Sequence, residues 1–162
     1  MKKSLVSLLC LVAVVGGTGT ALAADMKAED AIQTRQAGYK FMAWNMGKIK
    51  AQVVDGTADF NKDQVLASAL AIKGIANAGM GALFIPGTDT KSAPVKTRAL
   101  PALFDPANTD ERNRIGKNYV MQANKLAEVA AGGDAAAIKA QFGELGKACK
   151  SCHDKFREED KK

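Results

Sequence analysis

Ile138, Phe142, Leu145, Cys149, Cys152 and Phe156 follow one another at steps of four, three, four, three and four. An α-helix brings such positions onto one side, because 3.6 residues complete a turn. The end of the chain must therefore be a helix with an apolar stripe that needs burying. Two members of the stripe are thiols, and His153 directly follows the second. Cys149-Lys150-Ser151-Cys152-His153 is the attachment signature of a c-type haem. Residues i, i+3 and i+4 share a helix face. Both thiols can then reach porphyrin vinyl groups while the imidazole turns under the ring to the iron. The other common use of C-x-x-C is thiol redox chemistry, which normally sits in a βαβ setting. Nothing in this chain reads as strand alternating with helix. A structural or chance pair is the remaining alternative.

Three earlier segments show the same periodicity. Ile32, Arg35, Tyr39, Met42, Met46, Ile49 and Val53 form the seam of a first helix over about 27–54, closed by Asp55-Gly56. Asn61 and Gln64 have the spacing of a capping box at the start of a second. Its apolar face is Val65, Leu66, Ala69, Leu70, Ile72, Ile75, Ala76 and Met80, and Gly79 and Gly81 end it. Asp105-Pro106 starts a third, with Ile115, Tyr119, Gln122, Leu126 and Val129 facing inward as far as Ala131. Gly132-Gly133 breaks it, and Asp134 caps the fourth. The pattern predicts an all-α fold, an antiparallel four-helix bundle. A long connection from Phe84 to Phe104 joins helices 2 and 3, interrupted by Pro86, Pro94 and Pro101. A loop of that length is usually functional or lies against something. The haem edge is one such surface; a plain crossover is the other reading.

The chain opens Met1-Lys2-Lys3, runs apolar from Leu5 to Val15, and reaches Ala21-Leu22-Ala23 through small residues. That is a secretory signal peptide over 1–23, leaving 24–162 as one domain. The apolar run is too short to span a bilayer, so no stable membrane insertion is expected. Removal takes Cys10 with it, and the mature chain keeps Cys149 and Cys152 alone. Export to the periplasm fits the haem reading, since bacteria attach haem covalently outside the cytoplasm. The net charge of +6 is mild and its lysines are spread out, which argues against a nucleic-acid partner.

The fourth-helix segment Phe142-Gly143-Glu144-Leu145-Gly146-x-x-Cys149-x-x-Cys152-His153-Asp154-x-Phe156-Arg157 resembles the cytochromes c′. So do Asp30-Ala31-Ile32-x-x-Arg35-Gln36 and, less closely, Pro86-Gly87-Thr88 followed by Thr97-Arg98. The resemblance spans essentially the whole mature chain. It implies one covalently attached haem c, a periplasmic homodimer, and a five-coordinate iron that binds NO and CO or passes electrons to a redox partner protein still to be identified. It places Arg35 and Gln36 near the haem propionates and Tyr39 on the iron's open side. Thr97 and Arg98 would contact the haem, and Arg157 would stand by the proximal histidine.

The residues themselves bear on parts of this. His153 is the one histidine, which excludes bis-histidine ligation. Met26, Met42, Met46, Met80 and Met121 survive cleavage, so a six-coordinate, low-spin Met/His electron carrier is the alternative. Methionine on a helix seam is more often packing than ligand, and low-spin members of the family take theirs from the position that Tyr39 fills here. Tyrosinate ligation is opposed by a phenol pKa near 10. Arg35, on an apolar seam, either pairs with an anion such as a propionate or snorkels to solvent. Arg157 suits a helix C-terminus in any case. The Tyr39 face carries no evident acid or base for bond chemistry, so the chain does not read as an enzyme. A helical binding module with an incidental motif is the third reading.

Overall fold

The computed structural model describes residues 26–159; the signal-peptide segment and Cys10 lie outside them. Four helices make the frame: α1 (Ala28–Val53), α2 (Lys62–Asn77), α3 (Thr109–Gly132) and α4 (Ala135–Phe156). They form the expected antiparallel bundle, with α1 beside α2, α2 beside α3, α3 beside α4, and α4 closing back on α1. Of these four seams, the one between α1 and α4 is the loosest.

Local chemistry sets the helix ends. The Asn61 side chain accepts from the Gln64 amide at 3.0 Å, which is half of the expected capping box. The other half is supplied from α1: Gln52 accepts from the Asn61 amide at 2.8 Å. The tight 54–61 turn brings that longer side chain within reach, and it takes the place that Gln64 would fill. Asp134 accepts from the amides of Ala136 and Ala137 and starts α4 as predicted. Just before it, Gly133 takes φ 80°, the left-handed turn that ends α3. Asp105-Pro106 does begin a helical turn, but a 3₁₀ one, Pro106–Asn108, which runs into α3. The Asp105 carboxylate serves the Ala107 amide there, so the α-helix proper begins later than proline alone suggests.

Two apolar clusters fill the interior. The larger gathers Ile49, Ile72, Leu126, Ile138 and Leu145 with small residues such as Ala123 and Ala130 that let helices approach. Each large side chain buried there is worth about 1.5–3 kcal/mol. The smaller cluster is Ala99, Leu103, Ile115 and Phe156, at the end of the bundle where α4 stops. Cys149 packs against the first and Cys152 against the second, so the motif sits at their junction. The seams are less uniformly apolar than their spacing suggests. Asn45 and Ser68 are buried, whereas Leu70 and Tyr39 are exposed.

The long connection lies against protein. It contains a 3₁₀ turn, Pro101–Leu103, and otherwise runs extended or in turns. Its Leu100 amide donates to Phe156 O at 2.9 Å, and the Glu158 amide donates back to Arg98 O at 2.8 Å. Ala99 and Arg157 form the antiparallel bridge between them. The residues just past the haem motif are thus spliced to the connection by β-type pairing.

Candidate functional site

Cys149 and Cys152 are free thiols, both half-buried on α4. Burial pushes the pKa of each upward, so both are neutral near pH 7. His153 is exposed, one position on. Partial burial lowers its pKa, and the cations of Arg157 and Arg98 lower it further against the opposing pull of Asp154. A neutral imidazole is the form that ligates iron. A cavity of about 200 Å³ opens beside it, lined by Arg98, His153, Asp154, Arg157, Glu158 and Glu159.

Across from the thiols stand two tyrosines, one from α1 and one from α3. The Tyr39 phenol is pushed up to about 12, first by burial and then by the nearby Cys152, with Arg35 opposing. Although 40% of Tyr39 is exposed, its phenol is shielded enough to resist ionisation. Tyr119 is raised as well, by burial and then by Tyr39 and Cys149. Its hydroxyl donates to Met42 Sδ at 2.7 Å, which engages the one methionine that the α1 seam buries. Phe84 lies 6.4 Å from the Tyr39 ring and 6.5 Å from Phe104, extending an aromatic wall along the connection.

Arg35 is 3% exposed and does not snorkel. One terminal nitrogen donates to Leu83 O and Thr88 Oγ1, the other to Thr88 O and Thr97 Oγ1, at 2.6–3.1 Å. All four of these acceptors are neutral. The guanidinium also lies 4.7 Å from the Phe84 ring centre. Gln36 donates to Lys96 O at 2.9 Å. Thr97 is buried and accepts from the Ala99 amide as well as from Arg35. Arg98 donates twice to Glu158 O.

The structure therefore gathers Tyr39, Cys149 and Cys152 into one neighbourhood. Arg35, Gln36 and Thr97 meet at its edge, and Arg98 and Arg157 flank His153. Tyr119, Phe84 and Thr88 complete the surroundings. Tyr119 had a visible signal, its place on the inner face of helix 3. Phe84 and Thr88 sit in a stretch without periodicity, where no spacing marks a partner.

This donor set suits a covalent haem. Two thiols and an adjoining imidazole follow one another on α4, and the Tyr39 phenol of α1 lies near the thiols across the loosest seam of the bundle. Among the described residues no group of histidines, cysteines and carboxylates is arranged to hold a bare metal ion instead.

Comparison with known proteins gives a consistent result. Residues 30–157 match the family described as cytochrome c′. The cytochrome c′ of Allochromatium vinosum is 48% identical over 157 residues, which take in 97% of this chain and 99% of that protein. A solved cytochrome c′ described as having an unusual ligand-controlled dimer dissociation matches with a TM-score of 0.77 at 51% identity, covering 84% of this chain and 100% of that one. The cytochrome c′ of Alcaligenes xylosoxidans, 29% identical with a TM-score of 0.70 over 82% of this chain and 98% of that one, has been solved as a variant with carbon monoxide bound. A ferrous variant from the same organism has been solved with NO bound. With its bundle, its terminal haem motif and these likenesses over nearly all of its described length, the chain belongs to the cytochrome c′ family.

Proposed function

We propose that this chain carries one haem c, joined through Cys149 and Cys152, with His153 as an iron ligand and the opposite iron position open to NO and CO. The observation that carries this reading is the nearness of Tyr39 on α1 to the two thiols on α4, across the seam where these helices touch least. The haem, when bound, supplies an iron that takes diatomic gases and changes oxidation state by one electron. The chain supplies everything else. The two thiols would fix the ring, and burial, then the cations Arg157 and Arg98, hold the His153 pKa down so that its imidazole is neutral. A phenol held protonated is a poor ligand but a good plug, so Tyr39 fills the distal side without closing it.

Arg35 acts in this reading through charge more than through a fork of hydrogen bonds. Its four terminal N–H groups are engaged by the connection, which leaves the Nε–H. A buried cation among neutral acceptors is best balanced by an anion nearby, and a haem propionate is one. Gln36, Thr97, Arg98 and Arg157 would line the same edge. The six-coordinate alternative is disfavoured by the Tyr119 bond to Met42. The Tyr39 side offers rings and hydroxyls, which suit the binding of small gases or electron passage better than catalysis. We place the mature domain, 24–162, in the periplasm after loss of 1–23. We assign the exposed aromatic pair Phe41 and Trp44 on α1 to contact with a second copy.

Expression in a host competent for covalent haem attachment tests this. The mature protein should gain the mass of one haem, show a high-spin spectrum, and shift on adding carbon monoxide after reduction. An unchanged mass with both thiols free overturns it. A methionine-to-iron charge-transfer band would install the six-coordinate reading instead.

A further inference from the structure

The residues that follow His153 are held by the long connection, and the connection is held by Arg35. Starting from α1, Arg35 grips Thr88 and Thr97 through buried hydrogen bonds of 2.6–2.7 Å. Thr97 Oγ1 also takes the Ala99 amide, which sets the chain direction just before the splice. The Thr90 amide donates to Ala99 O at 2.8 Å and tightens the loop on itself. Arg98 to Leu100 then pair with Phe156 to Glu158, through Leu100 N–H to Phe156 O and Glu158 N–H to Arg98 O. The Arg98 side chain adds two bonds to Glu158 O. Arg157, inside the spliced stretch, donates its amide to His153 O at 3.2 Å and so ends α4.

We infer that segment 97–100 is a strap that positions the His153 imidazole, and that Arg35 is its anchor. The last turn of a helix is where carbonyls lack intrahelical partners and fraying starts. His153 sits in that turn, and its residue is exposed. The strap removes the freedom to fray, since it pairs the backbone immediately beyond the turn on both sides of Arg157. Arg35 and Tyr39 are one turn apart on α1. One buried cation thereby links the helix that carries the distal tyrosine to the end that carries the histidine. Arg35 acts here as a positioning residue, without touching His153.

This inference rests on the haem reading above, and its test separates the two. Leu100 has φ −72° and ψ 150°, backbone angles that proline accepts. Leu100→Pro therefore deletes the amide that bonds Phe156 O and little else of the backbone. Leu100→Ala keeps that amide and controls for the lost side chain. Two measurements on the haem-loaded proteins decide. Amide hydrogen exchange at Glu158 should quicken about tenfold in Leu100→Pro relative to Leu100→Ala, as expected for one lost hydrogen bond. The iron–histidine stretching band of the reduced protein should move and broaden in Leu100→Pro alone. Faster exchange with the same band in both variants would show that the strap is structural only, and would overturn the inference. If Leu100→Pro does not fold, Thr88→Val loosens the anchor end by removing an Arg35 acceptor, and the same band is read. Failure of the parent protein to take up haem would count against the functional reading and not against the strap.

Discussion

Tyr119 of α3 donates its hydroxyl to the sulfur of Met42 on α1, 2.7 Å away. The contact ties the two helices that face α4 from either side of the candidate site. It also gives Met42 a structural task that competes with any role at iron. Met42→Leu should leave the haem spectrum unchanged and lower stability by about 1 kcal/mol, since Leu fits the volume but the hydroxyl loses its acceptor. Absorption and thermal unfolding of the variant check both halves. A change of spin state would mean that methionine does reach the iron.

Tyr39 and Tyr119 are the only tyrosines in the chain, so its phenolate absorbance reports this site alone. Free tyrosine is half-ionised near pH 10. Tyr39 is pushed up to about 12, and Tyr119 is raised too. A phenol with a raised pKa stabilises the fold while it is neutral. That contribution is intact below about pH 10 and is lost as pH climbs through the folded value. A titration should show almost no phenolate at pH 10 and a late rise that coincides with unfolding. An ordinary curve centred near pH 10 would mean that neither ring is shielded.

Shortening the distal plug should open the site. Tyr39→Ala is expected to raise the rates of carbon monoxide and NO binding, with little change in helical content. Stopped-flow mixing measures this directly. Equal rates in parent and variant would remove Tyr39 from the path of the ligand.

Ser68 is fully buried on α2, and among the described residues its hydroxyl has no hydrogen-bond partner. A buried, unmatched hydroxyl costs about 1–3 kcal/mol. Ser68→Ala should stabilise the protein, raising the melting temperature by a few degrees. A fall would reveal a hidden partner for the oxygen.

Phe41 and Trp44 project from α1 with 48% and 58% of their surface exposed, their rings 5.6 Å apart. Lys48 stands 4.0 Å over the Trp44 ring. Placing a carboxylate there with Trp44→Glu should weaken self-association by about 2 kcal/mol or more, as for a central aromatic anchor. Sedimentation at several concentrations reads the shift toward monomer. A monomeric parent would remove the second copy from the account, and an unaffected dimer would move the interface elsewhere.

Helix positions and the motif were plain from spacing because both follow from the 3.6-residue turn. The thiol pair falls on a stripe whose other members had to be buried, and that fixed both its face and its depth. Arg35 was legible only as a cation that pairs with an anion or snorkels to solvent, whereas it is buried among neutral acceptors from Leu83, Thr88 and Thr97 in a stretch without period. Contacts made by irregular backbone leave no rhythm to read. The same holds for the pairing of Leu100 with Phe156, which arises only once the connection has been laid across the bundle. Gln52 replacing Gln64 at the start of α2 is a smaller case, where a turn brought a competitor within reach.

The weakest of the four helix seams joins the first helix made to the last. Three helices can therefore close on one another while the fourth side stands ajar. Both thiols belong to the last helix of that side, half-buried and unpaired with each other. A fold built this way can spare contacts at one edge because the other three already hold its frame.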